Sequence, residues 1–137
     1  MIRAVIDTNV IVSALLSPAG NEALIVLAIQ QGLIQPYFSA EILRDYAEVL
    51  ARPKFRFPPE EIEALIALVR FRGQLVQPGA FAAASPDPGD EKFLACALTA
   101  AVDAIVTGNK RDFPAEACED VRVVSAGELL EQITYDL

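Results

Sequence analysis

The stretch Arg3-Ala4-Val5-Ile6-Asp7-Thr8-Asn9 decides the fold of this chain. Its first four residues suit a buried strand, and the sequence then becomes abruptly polar, with a carboxylate first. A second apolar run, Val10 to Leu16, follows at once and predicts a helix. Ligands of a parallel α/β sheet bind beyond the carboxyl ends of the strands, which is where Asp7 would lie. Asp, Thr and Asn are also good helix N-caps, so a purely structural interpretation of Asp7 stays open at this point.

The alternation of strands and helices continues along the whole chain. Further strands are predicted at Leu33 to Phe38, Gln74 to Gln77, Ala104 to Thr107 and Val121 to Val124. Helices are predicted at Glu22 to Gln31, Glu41 to Ala51, Glu60 to Arg72 and Glu91 to Ala101, and a capping box at Ser125 to Glu128 opens a final helix. This order predicts a parallel sheet with helices on both faces, that is, one three-layer α/β/α domain over residues 1–137.

Composition limits the chemistry that is available to the protein. The chain is 53% hydrophobic and 22% charged, with a net charge of −8, and it contains no histidine. The lack of histidine excludes Ser-His and Cys-His nucleophiles and the usual histidine zinc sites. No apolar run approaches the roughly 20 residues of a membrane span, and the N-terminus lacks the pattern of a secretory signal. We therefore expect a cytoplasmic protein without membrane contact, whose chemistry depends on carboxylates, hydroxyls, amides, Lys and Arg.

Further acidic residues are candidates to join Asp7 at the sheet edge. Asp90 opens a helix at the head of an apolar stripe, although it can equally be an N-cap. Asp87, three residues earlier, is a competing candidate. Asp112 follows a predicted strand, as Asp7 does, although an Asx turn explains its position as well. Glu48 lies opposite the apolar stripe of its helix, which suits a surface residue or one that lines a cleft.

Four motifs together resemble the PIN-domain family, especially the bacterial toxin components of VapC-type toxin–antitoxin modules. They are Val5 to Val10, Leu43 to Leu50, Asp90 to Ala97 and Ile105 to Phe113. Each motif is weak alone, but their order and separations match the family. The resemblance implies a parallel sheet of about five strands, Mg²⁺- or Mn²⁺-dependent RNA cleavage, frequent homodimers and a cognate antitoxin partner. It also carries an acidic site over to Asp7, Glu48, Asp90 and Asp112.

Such a set of carboxylates suits metal-dependent hydrolysis of phosphodiesters. At about 5 Å, each like-charged pair costs about 3 kcal/mol at an effective dielectric constant near 20, so the set either takes up protons or holds cations. Oxygen ligands without His or Cys favour Mg²⁺ or Mn²⁺ over Zn²⁺. We expect Asp7 to anchor the principal metal together with Asp90 and Asp112. Glu48 would orient the attacking water or support a second metal.

Supporting roles and RNA contacts are predicted for two further sets of residues. The carboxylates would be held in place by the polar neighbours Thr8, Asn9, Thr107 and Asn109. Many relatives have Asp where this chain has Asn109, and the amide keeps an oxygen but removes one charge, which weakens the expected second metal site. The phosphates of RNA would be contacted by the basic residues Arg52, Lys54, Arg56, Lys110 and Arg111.

Two other functions stay open beside a metal-dependent endoribonuclease that acts as a toxin. A Mg²⁺-dependent phosphatase or phosphoacceptor domain also places acids beyond strand ends, but Asp7-Thr8-Asn9 lacks the second acid of an Asp-x-Asp nucleophile. The other alternative is a noncatalytic PIN-like binding module whose acidic cleft is structural, and Asn109 is compatible with it.

Overall fold

Five parallel strands form one sheet in the part of the chain that the structure describes, residues 1–79 and 88–136. The structure is a computed structural model. The strands are β1 (Ile2–Ile6), β2 (Ile34–Phe38), β3 (Gln74–Leu75), β4 (Ala104–Val106) and β5 (Arg122–Val124). Their order is β3-β2-β1-β4-β5, and every pairing is parallel. The strand that carries the first motif is therefore the central one.

Helices cover the sheet on both faces. Within the described ranges they are α1 (Thr8–Leu16), α2 (Asn21–Gln30), α3 (Ala40–Leu50), α4 (Pro59–Arg72), α5 (Glu91–Ala100), α6 (Ala115–Cys118) and α7 (Ala126–Asp136). Short 3-10 turns occur at Pro53–Phe55, Pro88–Asp90 and Lys110–Asp112. The predicted three-layer α/β/α fold with about five parallel strands is confirmed.

The last three residues of β1, Ala4 to Ile6, are all apolar because this part of the strand is buried on both faces. Ala4, Val5 and Ile6 are fully buried, and they lie between β2 and β4. The central strand of a parallel sheet is covered on both sides, so it lacks the alternating pattern of a half-exposed strand. The Asp7 N–H still donates to the Val106 carbonyl at 2.9 Å, and α1 begins at the next residue. Asp7 therefore lies in the middle of the carboxyl edge of the sheet.

Two element boundaries differ from the prediction by two residues, and the other predicted boundaries agree to within one residue. Helix α1 begins at Thr8 instead of Val10, because the strand passes directly into the helix with Asp7 as the N-cap residue. Strand β3 ends at Leu75 instead of Gln77, and both of its residues are exposed at the edge of the sheet. An edge strand has a pairing partner on one side only, which limits the length over which strand geometry is held.

The junction between α4 and β3 requires a glycine. A Cβ atom on Gly73 would lie 2.4 Å from the carbonyl oxygen of Pro36 and 2.4 Å from that of Val69, which is closer than such contacts allow. Pro36 itself lies within β2 opposite Ala4, and the pairing of β2 with β3 begins only at the following residue, Tyr37. The close approach of Gly73 thus brings β3 alongside β2.

No single helix in residues 1–79 and 88–136 has the length and apolar character needed to cross a membrane. The α1–α2 pair reaches that length and hydropathy only when the two helices are counted together, and they meet at 103°. Ile11, Ile25 and Ile29 from this pair are buried in the hydrophobic core.

Candidate active site

A cavity of about 410 Å³ opens at the carboxyl end of β1. Its walls come from the start of α1, the middle of α3 and the turn that leads into α5. Three carboxylates line it, those of Asp7, Asp45 and Asp90, together with one cation, Lys92. This space, called the carboxylate cavity below, is the place where acidic side chains from separate parts of the sequence meet.

Asp7 is a buried carboxylate that is held from the neighbouring strand. The residue occupies the N-cap position of α1, and only 5% of it is exposed. The Thr107 hydroxyl donates to Asp7 Oδ2 at 2.8 Å, and the Asn109 N–H donates to Thr107 Oγ1 at 3.0 Å. The contacts of Asp7 thus cross from β1 to the loop after β4, which argues against a role limited to helix capping.

The surroundings of Asp7 oppose its ionisation. Burial raises the pKa of its carboxyl group, and the negative charge of Asp112 adds to the rise. The hydrogen bond from Thr107 acts in the opposite direction, as do the backbone N–H groups of Asn9 and Thr8. Because burial is the largest of these effects, the charged form of Asp7 is less stable here than in water. A carboxylate in this state gains from any cation that enters the cavity.

Asp45 is a site residue that the sequence reasoning missed. Its side chain is 26% exposed, its Oδ2 accepts a hydrogen bond from the Thr8 hydroxyl, and its Oδ1 lies 3.4 Å from Lys92 Nζ. The spacing to Val49 is the one sign of this position in the sequence. Asp45 lies four residues before Val49, so the two side chains lie on the same face of the helix. Both line the cavity. An acid beside the buried stripe of a helix is placed to face a cleft, whereas an acid opposite that stripe faces solvent.

The structure does not bring Glu48 into the carboxylate cavity. Ile42, Tyr46 and Leu50 turn one side of α3 into the core, and this packing leaves Glu48 exposed on the other side. Of the two positions that the sequence permits for Glu48, the structure shows the one on the surface and not the one in a cleft. We replace Glu48 by Asp45 in the candidate set of acids.

Tyr46 connects α3 to the end of the central strand. Its buried hydroxyl donates a hydrogen bond to the carbonyl of Ile6, the residue that precedes Asp7. Burial raises the pKa of the Tyr46 hydroxyl well above its ordinary value of 10.0, and the negative charge of Asp7 adds to the rise. The hydroxyl thus stays protonated and satisfies a carbonyl at the floor of the site.

The other predicted site residues lie around this set. Asp112 is half-buried outside the cavity lining, and its Oδ2 accepts a hydrogen bond from the Asn109 amide at 3.0 Å. Asn9 Oδ1 accepts the Gly108 N–H at 3.1 Å, which ties the loop after β4 to the start of α1. Asp87 lies outside the described residues. The four polar residues predicted to support the acids therefore each contact either an acid or the loop that carries Asp112.

The described residues do not bring three Asp, Glu or Cys side chains close enough together to hold a metal ion in this conformation. The donors of the cavity are nevertheless of the right kind for Mg²⁺ or Mn²⁺, since Asp7, Asp45 and Asp90 supply carboxylate oxygens only. Mg²⁺ in proteins is commonly held by one or two carboxylates and several waters, so a compact set of three is not required. Asp7, Asp45 and Asp90 therefore fit a Mg²⁺ or Mn²⁺ ion in the kind of ligand they offer.

The predicted RNA-contacting residues divide into two groups. Arg52, Lys54 and Arg56 are exposed on the turn around Phe55, which lines the carboxylate cavity. Arg111 is also exposed, but the ammonium group of Lys110 contacts Glu128 Oε1. The first group lies beside the cavity entrance, where cations are accessible to a substrate.

The predicted capping box at the start of α7 is present in the structure, and the Lys110 side chain contacts its glutamate. The Glu128 N–H donates to Ser125 Oγ at 3.1 Å, and the Ser125 N–H donates to Glu128 Oε1 at 3.0 Å. The hydrogen bond from Lys110 is the main reason that the pKa of Glu128 is lowered from 4.5 to about 2, and Ser125 contributes to the same shift. This contact connects the loop after β4 to the last helix.

We expect the Lys110–Glu128 contact to stabilise the fold at neutral pH and to be lost in acid. The pKa of Glu128 is lower in the folded chain, so its contribution is present above about pH 4.5 and disappears as the pH falls towards 2. The effect is small because the two side chains are 51% and 48% exposed and solvent screens their charges. The free energy of unfolding of Lys110→Met should be below that of the wild type at pH 7 and converge with it near pH 2. A difference that does not change with pH would contradict this expectation.

A family model described as PIN domain matches residues 3–111. The matched range contains β1 except for Ile2, all of β2 to β4 and the three acids of the carboxylate cavity, and it ends one residue before Asp112. No curated protein matches the chain significantly.

Proposed function

Because the chain belongs to the PIN-domain family, we propose that it is a metal-dependent endoribonuclease that acts as the toxin of a toxin–antitoxin module. PIN domains are typically nucleases, so the family supports hydrolysis of a phosphodiester. The observation that carries the proposal is the carboxylate cavity at the carboxyl edge of the sheet, which buried Asp7, Asp45 and Asp90 line. That edge is where parallel α/β sheets bind their ligands.

The residues of the cavity divide between holding an ion and keeping its ligands in place. Asp7, Asp45 and Asp90 would hold Mg²⁺ or Mn²⁺, which when bound supplies an activated water and neutralises charge on the phosphate. Thr107 fixes one oxygen of Asp7, and Thr8 fixes one oxygen of Asp45. Each threonine thereby limits the rotation of a carboxylate, so the acids are already oriented before an ion binds.

The cavity entrance has features that suit single-stranded RNA. Phe55 lines the cavity and stacks on Phe57 with ring centres 5.4 Å apart, and Lys54 lies 5.1 Å from the centre of the Phe55 ring. Aromatic faces stack with bases and nearby cations attract phosphates, which together bind single strands without base specificity. Such a local arrangement is needed because a net charge of −8 repels RNA elsewhere on the chain.

We further propose that a cognate antitoxin controls this nuclease in the cytoplasm and that the nuclease acts as a homodimer. These parts of the proposal follow from the resemblance to VapC-type toxins. The carboxylate cavity supports the antitoxin part of the proposal through its charge, because three acids and a single lysine are among its lining residues. An arginine from an antitoxin segment would form a bidentate contact with such carboxylates and block the entry of RNA.

The test is cleavage of a mixed RNA panel by metal-stripped protein after addition of Mg²⁺, Mn²⁺ or EDTA. We expect cutting with either cation and a loss of at least about 100-fold with EDTA, since the ion supplies both the water and the charge stabilisation. Folded protein that binds Mn²⁺ but becomes phosphorylated on an aspartate instead of cutting RNA would favour the phosphoacceptor alternative. Folded protein that neither cuts RNA nor binds Mn²⁺ would favour the noncatalytic module.

A further inference from the structure

Lys92, in the first turn of α5, is a largely buried cation. Its side chain is 17% exposed, its Nζ lies 3.4 Å from Asp45 Oδ1, and it donates to the carbonyl of Gly89. The ammonium group also lies 5.2 Å from the centre of the Phe93 ring. Lysine is almost never buried unless it is paired, so the contact with Asp45 accounts for this placement. Among the described lining residues of the carboxylate cavity, Lys92 is the single positive charge.

The Lys92 ammonium group and a divalent cation would compete for Asp45 in this arrangement. One oxygen of Asp45 already accepts the Thr8 hydroxyl, and the other faces Lys92. Two positive charges at such short range repel strongly inside a protein, where the effective dielectric constant is far below that of water. An ion that takes Asp45 as a ligand therefore requires Lys92 to move, and the four-carbon stem of lysine permits that movement.

A second cavity gives the displaced ammonium group a place to go. It has a volume of about 530 Å³ and lies between the start of α3, the end of β3 and α5, with Arg44 on its wall. Lys92 lines both this cavity and the carboxylate cavity, so it stands at their common border. The volume is in the range of small-molecule sites. An RNA strand would pass close to Lys92 if its reacting phosphate lay at the acids and its adjacent nucleotide lay in the second cavity.

Resting on the proposed function, we propose that Lys92 couples metal loading to RNA binding. In the free chain its ammonium group neutralises Asp45, and when a divalent cation takes Asp45 the ammonium group contacts the RNA phosphate at the border of the two cavities. In the absence of RNA, metal binding is weakened because the ion must displace the Lys92 ammonium group from Asp45. When RNA is bound, its phosphate contacts the displaced ammonium group and restores the lost metal affinity. By linkage, RNA and the metal ion then tighten each other's binding by the same factor.

The coupling is measured as the Kd of Mn²⁺, by titration calorimetry, with and without a single-stranded 2′-O-methyl oligoribonucleotide whose integrity is checked afterwards on a gel. In the wild type we expect the oligonucleotide to tighten Mn²⁺ binding about 10-fold, within the usual range of coupling between two sites. Lys92→Met keeps the apolar stem but removes the charge. It should bind Mn²⁺ about 10-fold more tightly than the wild type when the oligonucleotide is absent. The oligonucleotide should then tighten Mn²⁺ binding by a smaller factor than in the wild type, because only the direct contact between the ion and the phosphate remains.

Two further variants control for charge and folding. Lys92→Arg keeps a cation at the border and should retain most of the coupling. Arg70→Gln removes one positive charge from the exposed end of α4 and should behave as the wild type. Circular dichroism verifies that each variant is folded.

The same measurements separate failure of this inference from failure of the proposed function. Coupling that is as strong in Lys92→Met as in the wild type would show that the lysine is only a counter-ion of Asp45, and unchanged Mn²⁺ affinity would remove even that role. Either result overturns the inference while the nuclease function stands. Wild-type protein that binds neither Mn²⁺ nor the oligonucleotide would overturn the proposed function and this inference with it.

Discussion

Asp7→Asn should abolish RNA cleavage and, at the same time, raise the stability of the metal-free protein at pH 7. The asparagine keeps the size of the side chain and an oxygen that can accept the Thr107 hydroxyl, but it lacks the negative charge that attracts a divalent ion. We expect cleavage to fall by at least about 100-fold, because the ligand lies at the centre of the acidic set.

The gain in stability follows from the direction of the pKa shift of Asp7. Burial raises this pKa above the ordinary value of 3.8, so the folded chain binds the proton more tightly than the unfolded chain does. The contribution of Asp7 to stability is therefore most favourable below about pH 3.8 and falls as the pH rises through the folded pKa. At pH 7 the wild type bears the full cost of a buried charge, whereas the asparagine variant does not.

Thermal unfolding in EDTA and in Mn²⁺ tests both effects on one pair of proteins. In EDTA at pH 7 the Tm of Asp7→Asn should exceed that of the wild type, and the difference should shrink below about pH 3.8. Excess Mn²⁺ should raise the Tm of the wild type and leave that of the variant nearly unchanged, because a ligand stabilises only the state that binds it. A variant that is less stable in EDTA, or that still cuts RNA, would refute the role given to Asp7.

Asp45→Asn and Glu48→Gln should differ sharply in their effects, although both remove one negative charge from α3. Asp45 lines the carboxylate cavity and contacts Thr8 and Lys92, whereas Glu48, three residues further along α3, is exposed and lies outside the cavity lining. We expect Asp45→Asn to lower both Mn²⁺ affinity and RNA cleavage by about 10- to 100-fold, the usual cost of disturbing a metal site. Glu48→Gln should stay within about twofold of the wild type in both measurements.

Thermal unfolding of both variants accompanies these assays, because Asp45→Asn leaves the largely buried Lys92 without its carboxylate partner. A folded Asp45→Asn protein with unchanged Mn²⁺ affinity would exclude Asp45 from the site. If Glu48→Gln lost as much activity as Asp45→Asn, the original assignment to Glu48 would be restored and the carboxylate cavity would not be the reacting centre.

Most of the fold could be predicted because its causes are local in the sequence. The continuous apolar run before Asp7 reflects the burial of a central strand on both faces, and the Ser125–Glu128 capping box depends on residues three apart. Asp7 and Asp90 could be placed for a related reason. One follows a strand and the other opens a helix, so the ends of these elements determine where they lie.

The rotation of a helix about its axis, in contrast, depends on what the helix packs against. Asp45 and Glu48 are about 60° apart around α3 at 100° per residue, so sequence spacing separates them only weakly. The packing of Tyr46 under β1, with its hydroxyl on the Ile6 carbonyl, selects the orientation that brings Asp45 to the cavity. The contact of Lys110 with Glu128 also depends on tertiary packing, because Glu128 lies on α7, which follows a different strand.

The sequence by itself therefore determined the parallel α/β sheet, its central strand and the carboxylates at the ends of its elements, since apolar periodicity and end signals act within a few residues. Only the tertiary structure decided which acid of α3 faces Asp7, and only it placed Lys92 between two cavities. Those outcomes arise from contacts between elements that are distant in the chain, where burial and charge pairing select one arrangement among several that the local pattern permits.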